Sequence, residues 1–154
     1  PVTALPVQTA WTSSFFPSGR AVYTDSALQE SFPAMQNFFC NFCCVLEENG
    51  VKAECVVTDE GNKVLEIKNI AVKPEYQGCG YGRALINFLI HRYTGKYSIM
   101  QVGTGDSALT VPFYEKCGFT RSHCIPNFFT DHYDHPIFEC GVQLVDMIYL
   151  QRQL

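Results

Sequence analysis

The chain has few charged residues and no long apolar run. Charged residues make up 17% of its 154 residues, and the net charge is −4. The 11 lysines and arginines are scattered, whereas a nucleic-acid-binding surface needs basic residues clustered on one face. No apolar segment approaches the roughly 18 residues of a membrane span. We therefore expect neither a nucleic-acid partner nor a membrane partner.

The N-terminus also lacks the basic segment and apolar stretch of a secretory signal. Cys40 and Cys43 form a C-x-x-C motif, but no second one accompanies it, and zinc needs about four ligands. We expect most of the 8 cysteines to be buried free thiols, with disulfides or a metal site as the alternatives. Free thiols are typical of a reducing compartment, so we predict a cytoplasmic protein without a metal.

The length is that of one ordinary domain spanning residues 1–154. Apolar periodicity and turn residues predict alternating strands and helices. Strands are expected at 38–47, 51–58, 64–72, 97–102, 120–125 and 142–150, with helices within 25–39, after residue 80, and from 106 or 107 to 117. The stretch 126–141 is expected to be a long loop. Tight turns at 48–50 and 59–62 favour an antiparallel meander of the first three strands.

The second helix is predicted from an apolar face of Leu85, Ile86, Leu89 and Tyr93. The order strand, loop, helix, strand around it indicates a crossover that joins two parallel strands. For the third helix, Asp106 or Ser107 is the expected cap and Gly118 the residue that follows its end. Proline lacks an N–H donor, so Pro112 places the start of that helix nearby or bends it.

The most informative segment lies between the third strand and the second helix. It reads Gln77-Gly78-Cys79-Gly80-Tyr81-Gly82-Arg83. A glycine-rich turn that leads into a helix directs backbone N–H groups outward together, and the helix dipole adds positive potential there. These donors suit a phosphate or pyrophosphate, so we predict a phosphorylated cofactor. The alternative is a mobile surface turn.

Two common phosphate loops do not fit this segment. A dinucleotide fingerprint needs G-x-G-x-x-G with an acidic residue about 20 positions later, and a Walker loop needs Gly-Lys-Ser/Thr. The pattern present is Q-x-x-G-x-G, preceded by Asn69-Ile-Ala-Val-Lys-Pro-Glu-Tyr76 and followed by Phe113-Tyr-Glu-Lys-Cys-Gly-Phe119. Over residues 64–119 the chain resembles the GNAT superfamily of acyl-CoA N-acyltransferases.

The resemblance implies an α/β (α+β mixed) fold with a central, mixed and mostly antiparallel sheet that is splayed at the cofactor site and flanked by helices. It also implies that acetyl-CoA is the co-substrate. The expected reaction moves an acetyl group to a primary amine of a small molecule or peptide by direct attack in a ternary complex. Neither Cys79 nor Cys117 is placed as an obvious acyl carrier.

The resemblance assigns the cofactor-binding residues. The pyrophosphate is expected on the N–H groups of residues 78–83, with Gln77 as part of the motif and Arg83 either pairing with phosphate or solvated. Glycine is needed because a Cβ would block close backbone approach. The pantetheine arm is expected to pair with the backbone of Ile70, Ala71 and Val72, where an N–H group would also polarise the thioester carbonyl.

Two residues are predicted to catalyse the transfer. Tyr114 occupies the position from which a family tyrosine protonates the departing thiolate, and a phenol remains protonated at neutral pH; the alternative is a core tyrosine. Glu66 corresponds to the base of histone-type members. A buried strand carboxylate is also chemically suited to act as a general base. The alternative for Glu66 is a residue on the solvated face of the strand.

Asp106 departs from the family pattern. Many members have asparagine near this position, and its amide contacts the pantetheine arm; an ionised aspartate cannot donate that hydrogen bond. Asp106 is therefore either a cofactor contact or only a helix cap. Residues 130–135, with carboxylates and imidazoles, form either part of an acceptor pocket or an acidic surface loop.

Two other functions remain open from the sequence. One is a non-catalytic acyl-CoA-binding or regulatory module, which would keep the glycine loop without turnover. The other is a zinc or redox protein built on Cys40 and Cys43. A free sheet edge or an apolar final strand would also support a homodimer.

Overall fold

The computed structural model describes residues 21–25, 41–47 and 49–154, with side chains from residue 44 onward except at 48. Most of the helix predicted within 25–39 lies outside these residues, as does Cys40. Asp25, a proposed cap of that helix, is the last residue of the first strand. The side chain of Cys43 is also outside the described part, so the C-x-x-C hypothesis stays untested.

The elements alternate along the chain as expected for a mixed α/β fold. The strands are β1 (Ala21–Asp25), β2 (Asn41–Glu47), β3 (Val51–Asp59), β4 (Val64–Val72), β5 (Ile99–Gly105), β6 (Thr120–Ile125), β7 (Phe138–Glu139), β8 (Val142–Gln143) and β9 (Met147–Gln153). The α-helices are α1 (Tyr81–Tyr93), α2 (Thr110–Lys116) and α3 (Phe128–His132), and a 3₁₀-helix covers Pro74–Tyr76. Among the described helices, none combines the length and hydropathy that a membrane span requires.

The described residues fall into two compact units. The first contains residues 21–25, 41–47, 49–59 and 69–92, and the second contains residues 60–68 and 93–154. Strand β4 contributes its first half to the second unit and its second half to the first. That residues 1–154 form a single domain stays a prediction.

In the first unit the strands are ordered β1-β2-β3-β4. β1 pairs antiparallel with β2, and β2 with β3 through a bulge at Leu46 and Glu47. Just beyond β4, the Lys73 N–H donates to the Lys52 carbonyl at 3.0 Å, the contact expected of a hairpin that joins β3 and β4. The predicted antiparallel meander is therefore present, with β1 added to it.

In the second unit the strands are ordered β4-β5-β9-β6. β4 and β5 are parallel over Val64–Ile67 and Ile99–Val102, and β4 continues to Val72 beyond the paired residues, as a splayed pair requires. β5 and β6 each pair antiparallel with β9, and α2 packs against β5. The mixed, mostly antiparallel sheet with flanking helices is thus confirmed.

The cores follow the apolar periodicity of the sequence. Leu85, Ile86, Leu89 and Tyr93 are all buried on α1, as their spacing predicts. In β4, Leu65 and Ile67 are buried as expected, whereas Asn69 and Ala71 on the same face are exposed. The alternation of side chains predicts only the face of the strand on which each one lies. Other residues bury that face at Leu65 and Ile67 but leave it exposed at Asn69 and Ala71.

The C-terminal third differs from the expectation. The stretch predicted as a loop over 126–141 contains the short helix α3 and strand β7, and the strand predicted over 142–150 is divided into β8 and β9. Asp146, between these strands, accepts a hydrogen bond from the Asn127 N–H at 2.9 Å. Asn127 and Cys140 have positive φ angles of 57° and 52°, which sequence periodicity does not indicate.

Helix α2 begins and ends at identifiable residues. It starts at Thr110, so Pro112 lies in the first turn, where an N–H group has no intrahelical acceptor. Leu109 directly precedes the helix and makes no side-chain capping bond. The capping bonds come from Ser107, as predicted: its hydroxyl accepts from the Leu109 N–H at 3.0 Å and the Thr110 N–H at 3.3 Å.

The end of α2 is a Schellman motif. The Gly118 N–H donates to Glu115 at 2.9 Å, and the Phe119 N–H donates to Tyr114 at 3.1 Å. Gly118 has a φ of 85°, which confirms its prediction as the residue after the helix. The rings of Tyr114 and Phe119 lie 5.7 Å apart, the apolar contact that commonly accompanies this motif.

Gly118→Ala should destabilise the protein more than Gly61→Ala. Both positions have left-handed φ angles, 85° and 80°, so each alanine costs about 1–2 kcal/mol of backbone strain. A Cβ at Gly61 meets nothing, whereas one at Gly118 collides with the Arg152 guanidinium, which donates to the Cys117 carbonyl. Denaturant unfolding should show the larger loss for Gly118→Ala, and equal losses would contradict this account.

Candidate functional site

The glycine-rich loop follows the carboxyl end of β4 in the first unit. After Val72 the chain forms the 3₁₀-helix Pro74–Tyr76, and α1 begins at Tyr81. The side chains of Gln77 and Cys79 are exposed, and so are Gly78 and Gly80. The loop is therefore a surface segment between a strand and a 13-residue helix, as the sequence predicts.

Two of its glycines have backbone conformations that favour glycine. Gly78 and Gly80 have φ angles of 76° and 87°. The first helical hydrogen bond of α1 runs from the Ala84 N–H to the Gly80 carbonyl at 2.9 Å. The N–H groups of residues 81–83 thus precede the regular ladder of the helix, and the helix dipole places positive potential at this end.

Gln77 ties the loop to the strand. Its side-chain amide donates to the Val72 carbonyl at 3.2 Å. Val72 and Ile70 are half-buried, and Ala71 between them is exposed. The strand end and the loop, which the sequence assigned to the pantetheine and the pyrophosphate, are thereby held together within one unit.

Aromatic contacts support the start of α1. The Tyr81 ring is buried and lies edge-on to Tyr76 at 5.9 Å between centroids. The Lys52 ammonium lies 3.8 Å from the centroid of the Tyr76 ring, a cation–π geometry. Gly82 is buried in the first turn of the helix, whereas Arg83 is exposed. Arg83 is thus placed where a solvent-borne anion can reach it.

Glu66 lies in the second unit and is not on a solvated face. Its side chain is only 7% exposed. One carboxylate oxygen accepts from the Lys68 ammonium at 2.7 Å, and the other accepts from the Gln101 amide at 2.6 Å. Gln101 is the register partner of Glu66 on β5. The carboxylate is therefore buried and paired.

The donors around Glu66 are themselves organised. The Gln151 amide donates to the Gln101 side-chain oxygen at 3.1 Å, which turns the Gln101 N–H₂ group toward Glu66. Lys68 also pairs with Glu60 at 3.0 Å. Burial lowers the pKa of Lys68, but the hydrogen bonds to Glu66 and Glu60 and the charges of both carboxylates outweigh it, so the pKa is raised.

Tyr149 on β9 belongs to the same polar face. Burial raises its pKa, and the negative charge of Glu66 and a hydrogen bond to that carboxylate raise it further, against the opposing charge of Lys68. The ring of His123 is stacked on Tyr149 at 4.5 Å and 7°. Tyr149 therefore remains a protonated phenol, a donor beside the Glu66 carboxylate.

Tyr114 lies in the second unit near the end of α2. It is 4% exposed, and its ring makes edge contacts with Phe113 at 5.0 Å and Phe119 at 5.7 Å. The Schellman motif determines where the chain turns back beside it. Packing on both neighbours and the helix end thus hold the ring in place, whether the hydroxyl is catalytic or structural.

Asp106 does not cap α2. Its side chain is about half exposed and pairs with Arg121 at 3.1 Å, so the interpretation of Asp106 as only a helix cap is wrong. The reason is that α2 begins at Thr110, beyond the reach of an N-cap at Asp106. Its contact with a cofactor stays a prediction.

The cysteines are only partly buried. Among the described cysteines none forms a disulfide; Cys44, Cys55 and Cys117 are buried, whereas Cys79, Cys124 and Cys140 are exposed. The expectation of mainly buried thiols is therefore wrong for half of those described: Cys79 lies in the surface loop and Cys124 on the exposed strand β6. Within the described residues, no cluster of three or more possible metal ligands occurs.

Residues 130–135 are exposed throughout. The ring of His132 stacks on Phe128 at 4.5 Å, and its Nδ1 lies 2.8 Å from the Phe128 carbonyl oxygen. His135 and Asp134 lie 2.5 Å apart at Nδ1 and Oδ1. These are local contacts within the segment, and its role as an acceptor pocket stays a prediction.

Three partners of Glu66 were not predicted from the sequence: Lys68, Gln101 and Tyr149. Lys68 could have been found, because residues two apart on a strand share a face. Gln101 and Tyr149 could not, since their proximity depends on which strands are neighbours and on the register between them.

Comparison with known proteins agrees with the architecture. Residues 40–121 match the family model described as Acetyltransferase (GNAT) domain. A crystal structure of a GNAT family acetyltransferase from Elizabethkingia anophelis with acetyl-CoA bound is 27% identical, with a TM-score of 0.77, covering 88% of this chain and 98% of that one.

Two curated proteins are also similar. The chain is 39% identical over 95 residues to the Uncharacterized N-acetyltransferase YvbK of Bacillus subtilis (strain 168), covering 60% of this chain and 61% of that protein. It is 41% identical over 68 residues to the Glucosamine 6-phosphate N-acetyltransferase of Trypanosoma brucei brucei, covering 43% and 44%. The chain thus spans less than two thirds of either relative. With a family model that matches more than half of its residues, the chain belongs to the GNAT family of acetyltransferases.

Proposed function

We propose that the protein transfers an acetyl group from acetyl-CoA to a primary amine by direct attack in a ternary complex. The observation that carries this proposal is the glycine loop. It follows the end of β4, has left-handed conformations at Gly78 and Gly80, and leads into the N-terminus of a 13-residue helix. A similar structure, the one from Elizabethkingia anophelis, has acetyl-CoA bound.

The backbone and the charges of the loop determine what it can bind. Anions are stabilised at a helix N-terminus by N–H donors and the dipole, so the pyrophosphate of coenzyme A is assigned to residues 78–83, with Gln77 bracing the loop. Exposed Arg83 adds a cation. The amides of the pantetheine arm are assigned to Ile70, Ala71 and Val72 by strand-like pairing, and a contact of the arm with Asp106 is kept as a prediction.

The chemical step needs one donor and one acceptor of protons. The neutral amine nitrogen attacks the thioester carbonyl carbon, and a backbone N–H of the strand stabilises the developing oxyanion. The carbon–sulfur bond then breaks. Tyr114 gives its proton to the departing thiolate, and the proton lost by the amine goes to Glu66. The products are the N-acetylated amine and free coenzyme A.

The contacts of Glu66 bear on its role as the base. The ammonium of Lys68 and the amide of Gln101 each contact one oxygen of the Glu66 carboxylate and orient it. The alternative base is a water chain that takes the proton in place of Glu66.

The acceptor class is a primary amine of a small molecule or peptide. The name of one curated relative specifies an amino sugar phosphate, which represents the small-molecule class. A cytoplasmic location and a homodimer stay predictions. For the latter, β6 ends the strand order of its unit, with every side chain exposed.

Gly80→Ala should weaken coenzyme A binding by about tenfold, the equivalent of about 1.4 kcal/mol. The added Cβ disfavours the φ of 87° and stands where the backbone must approach the phosphates. Gly95→Ala is the matched control, since Gly95 has a φ of 83° and is equally open. Calorimetry should show weakened binding for Gly80→Ala alone; equal affinities in both variants would place the cofactor elsewhere.

Tyr114→Phe should lower the turnover of acetyl-CoA by roughly 10²–10⁴ while coenzyme A affinity changes little, because the ring packing is kept and only the acid is lost. Thiol release with a panel of primary amines measures the rate. Tyr97→Phe, at a half-buried tyrosine in the turn after α1, serves as the control. An undiminished rate in Tyr114→Phe removes that residue from the mechanism.

A non-catalytic acyl-CoA-binding module is the second candidate, and the comparisons favour it less. It would bind coenzyme A as described, yet release no thiol with any amine. Both functions therefore predict the same coenzyme A affinities by calorimetry, but only the acetyltransferase predicts release of thiol in the presence of an amine.

A further inference from the structure

The Lys68 ammonium bridges two carboxylates that differ in burial. Its Nζ lies 2.7 Å from Glu66 Oε1 and 3.0 Å from Glu60 Oε1. The Glu66 side chain is 7% exposed, whereas the side chains of Glu60 and Lys68 are each 36% exposed. The lysine thus reaches from a partly solvated position to a carboxylate inside the sheet.

Glu66 needs a cation in this position. A buried carboxylate without a counter-charge is strongly destabilised, and removing one member of such a pair is costlier than losing a surface ion pair. The amide row of Gln101 and Gln151 supplies a donor to Glu66 Oε2 but no charge. Whatever moves Lys68 away from Glu66 Oε1 must therefore bring positive charge and N–H donors with it.

We propose that Lys68 determines acceptor specificity by occupying the position of the acceptor's own ammonium. The acceptor is a primary alkylamine that binds as its cation, replaces the Lys68 ammonium at Glu66 Oε1, and leaves Lys68 bound to Glu60. This inference rests on the proposed function. The bound ammonium gives one proton to Glu66 and so becomes the neutral amine that attacks; the second proton, which the nitrogen loses after attack, replaces the one that Tyr114 gives to the departing thiolate.

The chemical similarity between an alkylammonium ion and the Lys68 ammonium supports the exchange of one for the other. An alkylamine has a pKa near that of lysine, about 10.4, and is a cation at neutral pH, with three N–H donors like Lys68. The exchange keeps the charge at Glu66 constant, and Glu60 keeps Lys68 paired. A neutral aromatic amine brings no charge, so it does not displace Lys68. The raised pKa of Lys68 keeps this residue protonated, hence a counter-ion rather than a nucleophile.

The first experiment observes Lys68 directly in the full chain. The side-chain ammonium signals of ¹⁵N-labelled protein are recorded by NMR, and the Lys68 signal is identified by its loss in Lys68→Met. Butylammonium chloride should shift this signal saturably, whereas tetramethylammonium chloride, a cation without N–H donors, should not. In Glu66→Gln the saturable shift should vanish. A Lys68 signal that responds to neither salt, or equally to both, overturns the proposal.

The second experiment separates specificity from a structural role. With acetyl-CoA and butylamine, Lys68→Met should lower the KM for butylamine by about tenfold and change kcat by less than about threefold, because the competing ammonium is gone. Lys68→Arg, which keeps the positive charge, should restore a KM near that of the wild type. Glu60→Gln should raise the KM, since displaced Lys68 then loses its partner.

Lys96→Met is the matched control, as Lys96 is exposed in the turn after α1, and it should leave both constants unchanged. If Lys68→Met melts at a lower temperature but has an unchanged or higher KM, Lys68 is structural and the proposal is wrong. If the wild type releases no thiol while butylammonium still shifts Lys68, only the proposed function fails. If thiol is released from butylamine while Lys68 stays insensitive, only this inference fails.

Discussion

The parallel pairing of β4 with β5 is the constraint on which the arrangement of the second unit and the place of the glycine loop depend. Two parallel strands cannot be joined by a tight turn, so the chain must make a long crossover between them. That crossover holds the 3₁₀-helix, the loop and α1. The loop therefore begins at the carboxyl end of a strand, the edge of an α/β sheet at which ligands are usually bound.

The same pairing determines the surroundings of Glu66. The register places Glu66 opposite Gln101, and Leu65 and Ile67 beside Met100 and Val102. A shift of one residue would turn the apolar side chains away from the core and separate the carboxylate from its amide donor. The hydrophobic core of the second unit and the hydrogen bonds that join Glu66, Gln101 and Gln151 therefore both depend on this register.

The ion pair of Glu66 with Lys68 illustrates how a buried charge is kept in a sheet. Burial of a carboxylate without partners costs free energy. At Glu66 that cost is offset by contacts with the Lys68 ammonium, the Gln101 amide and the Tyr149 phenol. Lys68 is shared with Glu60, so its ammonium has a second carboxylate partner beside the buried one.

Much of the local structure could be predicted from the sequence because it depends on residues close together in the chain. The bounds of β4, the buried face of α1, the loop from Gln77 and the role of Gly118 after α2 all follow from periodicity, glycine conformations and capping. The start of α2 was predicted less well, since Ser107 and Pro112 both favour a helix nearby without selecting Thr110. The division of the last strand was missed, because Leu144, Val145 and Asp146 bond to residues 137, 129 and 127 between the two strands, which are contacts that periodicity does not indicate.

The sequence by itself determined the family, the glycine-rich loop before α1 and the order of strands and helices from β2 to β6, since these are encoded in contiguous segments. Only the tertiary structure decided that Glu66 is buried, that Lys68, Gln101 and Tyr149 surround it, and that Asp106 pairs with Arg121. These outcomes depend on which strands are neighbours and on their register. Both result from the packing of residues far apart in the chain, such as Glu66 and Tyr149, which are 83 positions apart. Hydrophobic burial selects that packing for the chain as a whole, and no single segment contains the information.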